Sequence, residues 1–325
     1  MGVGPHLSRC RVAEVRAADR RDPIDHLESS RGFWGDAFGR LLRSPAGVAG
    51  LVIVIGLIVV AVIGPIVVPW TYYQQDIDAV LAYGGPLPPL SPGHVLGTDS
   101  LGRDLLARTL DGAQVSLTVA LVAQLVVIAI GVPVGLVAGW RGGIVETGLM
   151  RFTDVIATFP DLLFIVMISA AIVDTPFFRI LNGLLATFIA IGLIAWVGTA
   201  RLVRAQTLSL KQRDDIEAAR AIGVPESRIV RRYILPQAMG PIAVATSLGI
   251  PIAILAESTL SFLGLGVQIP RASWGSLIDA GIDAITLTPW LVFPPMIALG
   301  VALVGFTLLG DGMRDAFDPR ASRRR

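Results

Sequence analysis

The sequence has few charged residues and a single lysine, and both shortages exclude functions. Only 16% of its 325 residues are charged and 53% are apolar, with a mean hydropathy of +0.68. Soluble domains carry about 25% charged residues, so this composition indicates a chain that exposes apolar surface to lipid. The single lysine, Lys211, is followed by Gln212. The chain therefore contains no G-x-x-x-x-G-K-[ST] phosphate loop, and we expect no ATPase site of that type in it.

Cysteine and histidine are equally scarce. The single Cys10 cannot form an internal disulfide, and the three histidines, His6, His26 and His94, are too scattered for a metal site. No histidine lies near a suitable nucleophile, so a Ser/His/Asp or Cys/His catalytic set is also excluded. We therefore expect no metal, no cofactor and no catalytic centre in this chain.

Long apolar runs dominate what is present. Six stretches carry no charged residue: 46–68, 115–138, 162–173, 180–200, 236–256 and 287–310. Five of them exceed the roughly 20 residues that a helix needs to cross a bilayer. The short stretch 162–173 can cross only if its helix starts near Glu146 and is kinked at Pro160. The sequence thus predicts an all-α polytopic membrane protein with six transmembrane helices.

The basic residues predict the orientation of these helices, because Lys and Arg collect in cytoplasmic loops. With both termini in the cytoplasm, the inner segments hold 23 of the 27 basic residues. The outer loops then hold the other four: Arg103, Arg108, Arg179 and Arg271. The opposite topology would invert this ratio, so we expect both termini to be cytoplasmic.

The polar and apolar segments divide the chain into six parts. These are a cytoplasmic tail (1–32), an interfacial helix (33–45), a first transmembrane helix (46–68), an outer loop (69–112), a five-helix core (113–310) and a cytoplasmic tail (311–325). The first tail is Arg-rich without apolar periodicity, which is typical of poor order. The apolar residues from Phe33 to Leu42 share one helical face, which fits an interfacial helix or a cytoplasmic helix packed on its own protein.

The loop at 201–236, within the core, is too long for a simple connector. The sequence predicts a first short helix from Asp214 to Ile222, which ends at Gly223 in the left-handed conformation. Pro225 suits the start of a second helix. We expect the three residues after Ile216 to be exposed, where small side chains let another protein approach the backbone closely. They are Glu217, Ala218 and Ala219.

This loop carries a resemblance to a known family. Glu217-Ala218-Ala219, followed by Gly223 and by Ile234-Leu235-Pro236, resembles the EAA loop of binding-protein-dependent ABC importer permeases. An ordinary amphipathic loop is the alternative. Four further segments are similar to the dipeptide, oligopeptide and nickel branch, and specifically to the second of its two membrane subunits: 94–109, 153–163, 257–268 with 273–275, and 309–319. Two positions depart from that branch, Val95 in place of Pro and Gln237 in place of Asn.

The resemblance implies a type I ABC importer permease fold and a peptide-carrying subunit in a bacterial inner membrane. It implies as partners a homologous permease subunit, two ATPase subunits that bind ATP and magnesium, and an extracytoplasmic solute-binding protein, with no nucleic acid. The ATPases would dock on six residues of the loop: Asp214, Glu217, Ala218, Ala219, Gly223 and Pro225. Nickel or another small solute is the alternative cargo.

The outer loop contains a second motif, formed by Gly97, Thr98, Asp99, Gly102, Arg103 and Asp104. Its glycines suit tight turns, and Arg103 could pair with Asp99 or with Asp104. We therefore favour a role in folding the loop over substrate contact. Near the other end of the chain, we expect 310–319 to be a helix terminus closed by Gly, Asp and Pro.

Glu257 is the only charged residue between Pro236 and Ile269. A carboxylate inside a membrane is costly unless it is paired or faces water, which makes Glu257 a candidate for the translocation path. Hydrogen bonding to Ser258, Thr259 or a neighbouring helix explains it equally well. A proton-coupled secondary transporter that uses Glu257 is the alternative function from a different class.

Overall fold

The computed structural model describes residues 30–173, 175 and 182–317, and side chains within these ranges from residue 35 onward. Three parts of the predicted chain therefore lie outside the described residues: most of the tail 1–32, Arg179, and the end of the tail 311–325. Within these ranges the chain is all-α, with isolated β-bridges and no longer strand.

Twelve α-helices make up the described chain. They are α1 (Ser30–Leu41), α2 (Pro45–Val67), α3 (Ile77–Tyr83), α4 (Leu105–Arg141), α5 (Gly143–Ala157), α6 (Asp161–Ile172), α7 (Leu184–Lys211), α8 (Asp214–Ala221), α9 (Glu226–Ile229), α10 (Leu235–Phe262), α11 (Trp274–Asp283) and α12 (Phe293–Phe317). A π-helical turn, Val230–Ile234, joins α9 to α10, and a 3-10 turn, Pro289–Leu291, precedes α12.

Five of the helical segments are long and apolar enough to cross a membrane. They are α2, α4, α7, the continuous segment from α9 to α10, and the segment that ends in α12. The pair α5 and α6 completes the predicted six crossings when it is counted as one broken span. The prediction of an all-α polytopic membrane protein is confirmed.

The third crossing differs from the kinked helix that the sequence predicts. Helices α5 and α6 meet at 82° across a break at 158–160. Pro160 has no amide hydrogen to continue the hydrogen bonds of α5, and its ring disfavours the helical conformation at Phe159. The expected kink is therefore a break followed by a new helix.

Two helices extend beyond their apolar runs. Helix α4 starts at Leu105, so the last residues of the predicted outer loop 69–112 are helical. Helix α12 continues past residue 310 to Phe317, inside the segment 310–319 that the sequence predicts to be a helix terminus. Hydropathy marks where lipid ends, whereas the end of a helix depends on capping and tertiary contacts.

Close helix packing explains why positions 310 and 312 of α12 are glycines. A Cβ atom at Gly310 would collide with Leu248 of α10, and one at Gly312 would collide with Gly47 of α2. In α4, Gly131, Gly135 and Gly139 recur every four residues and face α7, where added Cβ atoms would collide in the same way. Small residues at this spacing let membrane helices approach closely. These contacts hold the C-terminal part of α4 closely against α7.

Candidate functional site

The first short helix predicted in the loop 201–236, from Asp214 to Ile222, is present as α8, and its ends are those expected from its sequence. We call α8 the coupling helix and the loop that contains it the coupling loop. Gly223 has a φ of +77°, which confirms the left-handed conformation predicted there. Pro225 caps the next helix, α9, with a φ of −57°. A substituent at Gly223 would meet no atom of the described chain within 4 Å, so this turn points into open space.

The prediction that Ala219 is exposed on α8 is wrong. Glu217 and Ala218 are exposed, but Ala219 is only 6% exposed and packs inward with Ile216. Residues three apart lie on the same side of a helix, so the inward placement of Ile216 carries Ala219 with it. The residue that replaces Ala219 on the surface is Ile222, which is 80% exposed just beyond the end of α8. Ile222 thus adds an apolar tip to the exposed residues of this helix.

We call the resulting exposed patch the coupling surface. Its members are Asp214, Glu217, Ala218, Ile222 and Gly223. It combines carboxylates from the first turn of α8 with a small residue and an apolar tip. A partner could therefore approach the helix backbone closely and bury Ile222, while the carboxylates set the register of the contact.

The inner side of α8 rests on a small apolar cluster that the sequence analysis missed. Trp140, at the end of α4, packs there with Ile216, Ala219, Ile229 and Ile234. These five residues come from four different elements. Tryptophan is common at the membrane–water interface, so Trp140 does not by itself indicate a packing cluster. Its position at the end of an apolar run was the only sign of the cluster in the sequence.

Polar contacts hold Trp140 in place. Its Nε1 donates a hydrogen bond to Glu226 Oε2 at 3.0 Å, and Lys211 Nζ donates to its carbonyl oxygen at 2.6 Å. The Arg220 guanidinium lies 4.5 Å from the centre of the indole ring, within range of a cation–π interaction. The coupling helix is therefore fastened to the ends of α4 and α7.

The outer-loop motif folds its own loop. Arg103 Nε donates to Asp99 Oδ2 at 2.7 Å, so Arg103 pairs with Asp99. Asp104 instead caps α4, where its Oδ1 accepts a hydrogen bond from Ala107 N at 2.7 Å. Thr98 is buried, and its hydroxyl accepts a hydrogen bond from Leu87 N. These contacts favour the structural interpretation of the motif.

The two glycines of the motif, Gly97 and Gly102, have φ values of +80° and +76°. A Cβ atom at Gly97 would also collide with the backbone of Leu87 and Pro88. Both positions therefore require glycine, for their backbone conformation and at Gly97 also for space.

His94 links parts of the loop that are distant in sequence. Its Nδ1 lies 2.8 Å from Asp104 Oδ2 and its Nε2 lies 3.4 Å from Asp76 Oδ2. The ring is buried and stacks on Trp70 with 4.6 Å between centroids. The sequence alone does not predict these contacts of His94, since the spacing of its partners matches no local motif.

Glu257 is 0% exposed and is surrounded by hydroxyl groups. Ser116 of α4 and Ser261 of α10 donate hydrogen bonds to its carboxylate at 2.8 and 2.7 Å, and Ser258 lies 3.5 Å away. Ser116 Oγ also lies 3.4 Å from the amide nitrogen of Trp274, at the start of α11. The carboxylate thus joins α10 to α4, and Ser116 continues the contact to α11, which favours the packing interpretation over a place in the path.

Comparison with known proteins identifies relatives along nearly the whole chain. The family described as "binding-protein-dependent transport system inner membrane component" matches residues 131–323. The N-terminal TM domain of oligopeptide transport permease C matches residues 32–89. The chain is 39% identical over 300 residues to the oligopeptide transport system permease protein OppC of Haemophilus influenzae, covering 92% of this chain and 93% of that protein. It is also 39% identical over 295 residues to the dipeptide transport system permease protein DppC of Bacillus subtilis, covering 90% and 88%.

A solved structure shows the same fold. The chain is similar to a chain of the MetNI methionine ABC transporter in an inward-facing conformation, with a TM-score of 0.50 and 19% identity. The likeness covers 64% of this chain and 96% of that one. At this identity it bears on the fold alone, which is that of a type I ABC importer permease.

Proposed function

This chain belongs to the family of binding-protein-dependent transport system inner membrane components, and from that premise we propose that it is the peptide-carrying permease subunit of an ABC importer. The observation that carries the proposal is the similarity to oligopeptide and dipeptide permeases along about nine-tenths of the chain. The N-terminal match to oligopeptide permease C supports the same cargo, because it covers a region outside the general permease family match.

In this proposal the chain works with separate partners and hydrolyses no ATP itself. A homologous permease subunit supplies the other half of the path, and an extracytoplasmic solute-binding protein delivers the peptide. Two ATPase subunits dock from the cytoplasm, one of them on the coupling surface. The absence of a phosphate loop from the sequence supports this division of labour.

The contacts of Trp140 suggest how movement would pass from the ATPase into the membrane. Helix α8 shares an apolar cluster with the end of α4, and Lys211 ties the end of α7 to the same tryptophan. An ATPase that pulls on α8 would therefore move the ends of α4 and α7 with it. Packed helices shift as rigid elements between discrete arrangements, which is how access could switch from outside to inside.

An uptake experiment tests the cargo. Cells that lack this chain but retain the other subunits should lose uptake of di- and oligopeptides, and the wild-type chain should restore it. Nickel uptake measured in the same cells is the matched control, because nickel is the alternative cargo within the same branch. Restoration of nickel uptake without peptide uptake would refute the peptide assignment.

The orientation of the chain gives a separate prediction. The 23-to-4 distribution of basic residues predicts that the loop 201–236 lies in the cytoplasm. Ser227 is exposed in that loop, so Ser227→Cys should react with a membrane-impermeant thiol reagent only after the membrane is opened. Leu90→Cys in the outer loop, where the leucine is 85% exposed, should react in intact cells. Cys10 should be replaced by serine in both variants; labelling of Ser227→Cys in intact cells would overturn the orientation.

A further inference from the structure

A basic cleft lies beside the coupling helix, at the start of the fifth crossing. It has a volume of about 540 Å³ and is lined by Pro225, Ser227, Arg228, Arg231 and Arg232. Sites for small ligands have volumes of roughly 300–1,000 Å³, so the cleft can hold one. No carboxylate lines it, and it carries three guanidinium groups and one hydroxyl.

The three arginines of the cleft lack partners within the described part of the chain. None of them makes an ion pair or a side-chain hydrogen bond there, although nearby arginines do. Arg201 pairs with Asp154, and Arg204 pairs with Glu146. The adjacent carboxylate, Glu226, is held by Trp140 Nε1 instead. The cleft therefore presents three positive charges that have no ion-pair partner among the described residues.

The cleft lies where the fifth apolar crossing begins, so we expect it at the membrane surface. Arg231 and Arg232 lie in the π-helical turn that leads directly into α10, whose apolar residues begin at Leu235. At about 1.5 Å per residue, Arg228 lies ~10 Å and Arg232 ~4 Å before the apolar helix. This is the depth at which phospholipid headgroups lie.

We propose that this cleft binds the headgroup phosphate of an anionic phospholipid. Guanidinium groups match phosphate oxygens in charge and in geometry, since each can donate two parallel hydrogen bonds. Ser227 adds a further donor at the same cleft. Basic pockets at the ends of transmembrane helices bind anionic headgroups for these reasons. The bound lipid would fill the groove between the membrane and the second helix of the coupling loop, and so stabilise the loop that carries the coupling surface.

Lipid binding to the purified importer complex tests the proposal. The complex in detergent is titrated with phosphatidylglycerol or with phosphatidylcholine, and bound lipid is counted by native mass spectrometry. Detergent exposes both faces of the protein, so the result does not depend on the proposed orientation or on the cargo. We expect phosphatidylglycerol to bind preferentially and the cleft variant to bind it at least about tenfold more weakly, because it loses three basic residues that attract an anionic headgroup. The cleft variant combines Arg228→Gln, Arg231→Gln and Arg232→Gln.

A matched variant controls for net charge. It removes three exposed arginines that make no ion pair within the described residues and lie outside the cleft: Arg141→Gln, Arg151→Gln and Arg314→Gln. We expect it to bind phosphatidylglycerol as the wild type does. We expect a lysine variant of the cleft to retain part of the binding, since it keeps the charge and loses the paired donors.

Three results would overturn the proposal. Equal loss of binding in the cleft variant and the matched variant would show a general charge effect. Full displacement of the lipid by millimolar inorganic phosphate would show a site for soluble anions. Loss of the ATPase from the cleft variant in phosphatidylcholine alone would show that the arginines face an acidic surface of the partner.

Discussion

Ala218→Arg is expected to abolish transport while leaving the chain folded. Ala218 is exposed on the coupling surface, and its small side chain lets a partner approach the helix backbone. An arginine there would hold the partner away, and disruption at the centre of an interface costs ~2–4 kcal/mol, or roughly 30- to 1,000-fold in affinity. We therefore expect the ATPase to be lost on purification and peptide uptake to fall by at least ~30-fold. Co-purification and uptake in cells measure the two effects.

The neighbouring alanine provides a matched comparison. Ala219 is buried against the cluster that contains Trp140, so Ala219→Arg would place a charge in an apolar site. An uncompensated buried charge costs several kcal/mol, and we expect less folded protein in the membrane rather than a folded subunit without its ATPase. Size-exclusion profiles of the two variants should therefore differ. Normal uptake by Ala218→Arg would contradict the docking role of the coupling surface.

Glu257→Ala is expected to reduce the amount of folded chain severely. The carboxylate accepts hydrogen bonds from Ser116 and Ser261 inside a fully buried site. Alanine would leave these hydroxyls without an acceptor and open a cavity, and each unsatisfied group costs ~1–3 kcal/mol. Native proteins are stable by only about 5–15 kcal/mol, so the loss is a large fraction of the total. Membrane abundance and thermal unfolding of the purified chain measure it.

Glu257→Gln separates packing from a role in the path. The amide keeps one oxygen acceptor, and the hydroxyl of a nearby serine can rotate to accept from its nitrogen. The packing interpretation therefore predicts nearly normal abundance and uptake of cationic, neutral and anionic peptides alike. Normal assembly combined with poor transport, or with an altered preference among charged peptides, would show that the charge serves the path.

The sequence predicted the coupling loop well, because the signals there are local. The left-handed turn at Gly223 follows from the conformational freedom of glycine, and its φ of +77° confirms the prediction. The exposure of Ala219 was predicted wrongly because the sequence gives no indication of which side of α8 meets Trp140. Which residues of α8 are exposed therefore depends on Trp140, about 80 positions earlier in the chain.

For the helix boundaries too, the sequence predicted part of the structure and the packing decided the rest. The apolar runs located the crossings, but α4 extends beyond its run because Asp104 caps it at a position set by His94. Helix α12 extends past its apolar run to Phe317, and Gly310 and Gly312 in this extension pack closely against α10 and α2. Neither extension has a signal in hydropathy, because caps and close backbone contacts do not depend on it.

By itself, the sequence determined that this is an all-α membrane protein, where its crossings lie and which loop resembles a docking site. Those properties follow from hydropathy and from backbone preferences, which act over a few neighbouring residues. Only the tertiary structure decided which side of α8 is exposed, which groups satisfy Glu257, and that three arginines converge on one cleft. Buried polar groups and unpaired charges are defined by their neighbours in space, and those neighbours are brought together only when the helices pack.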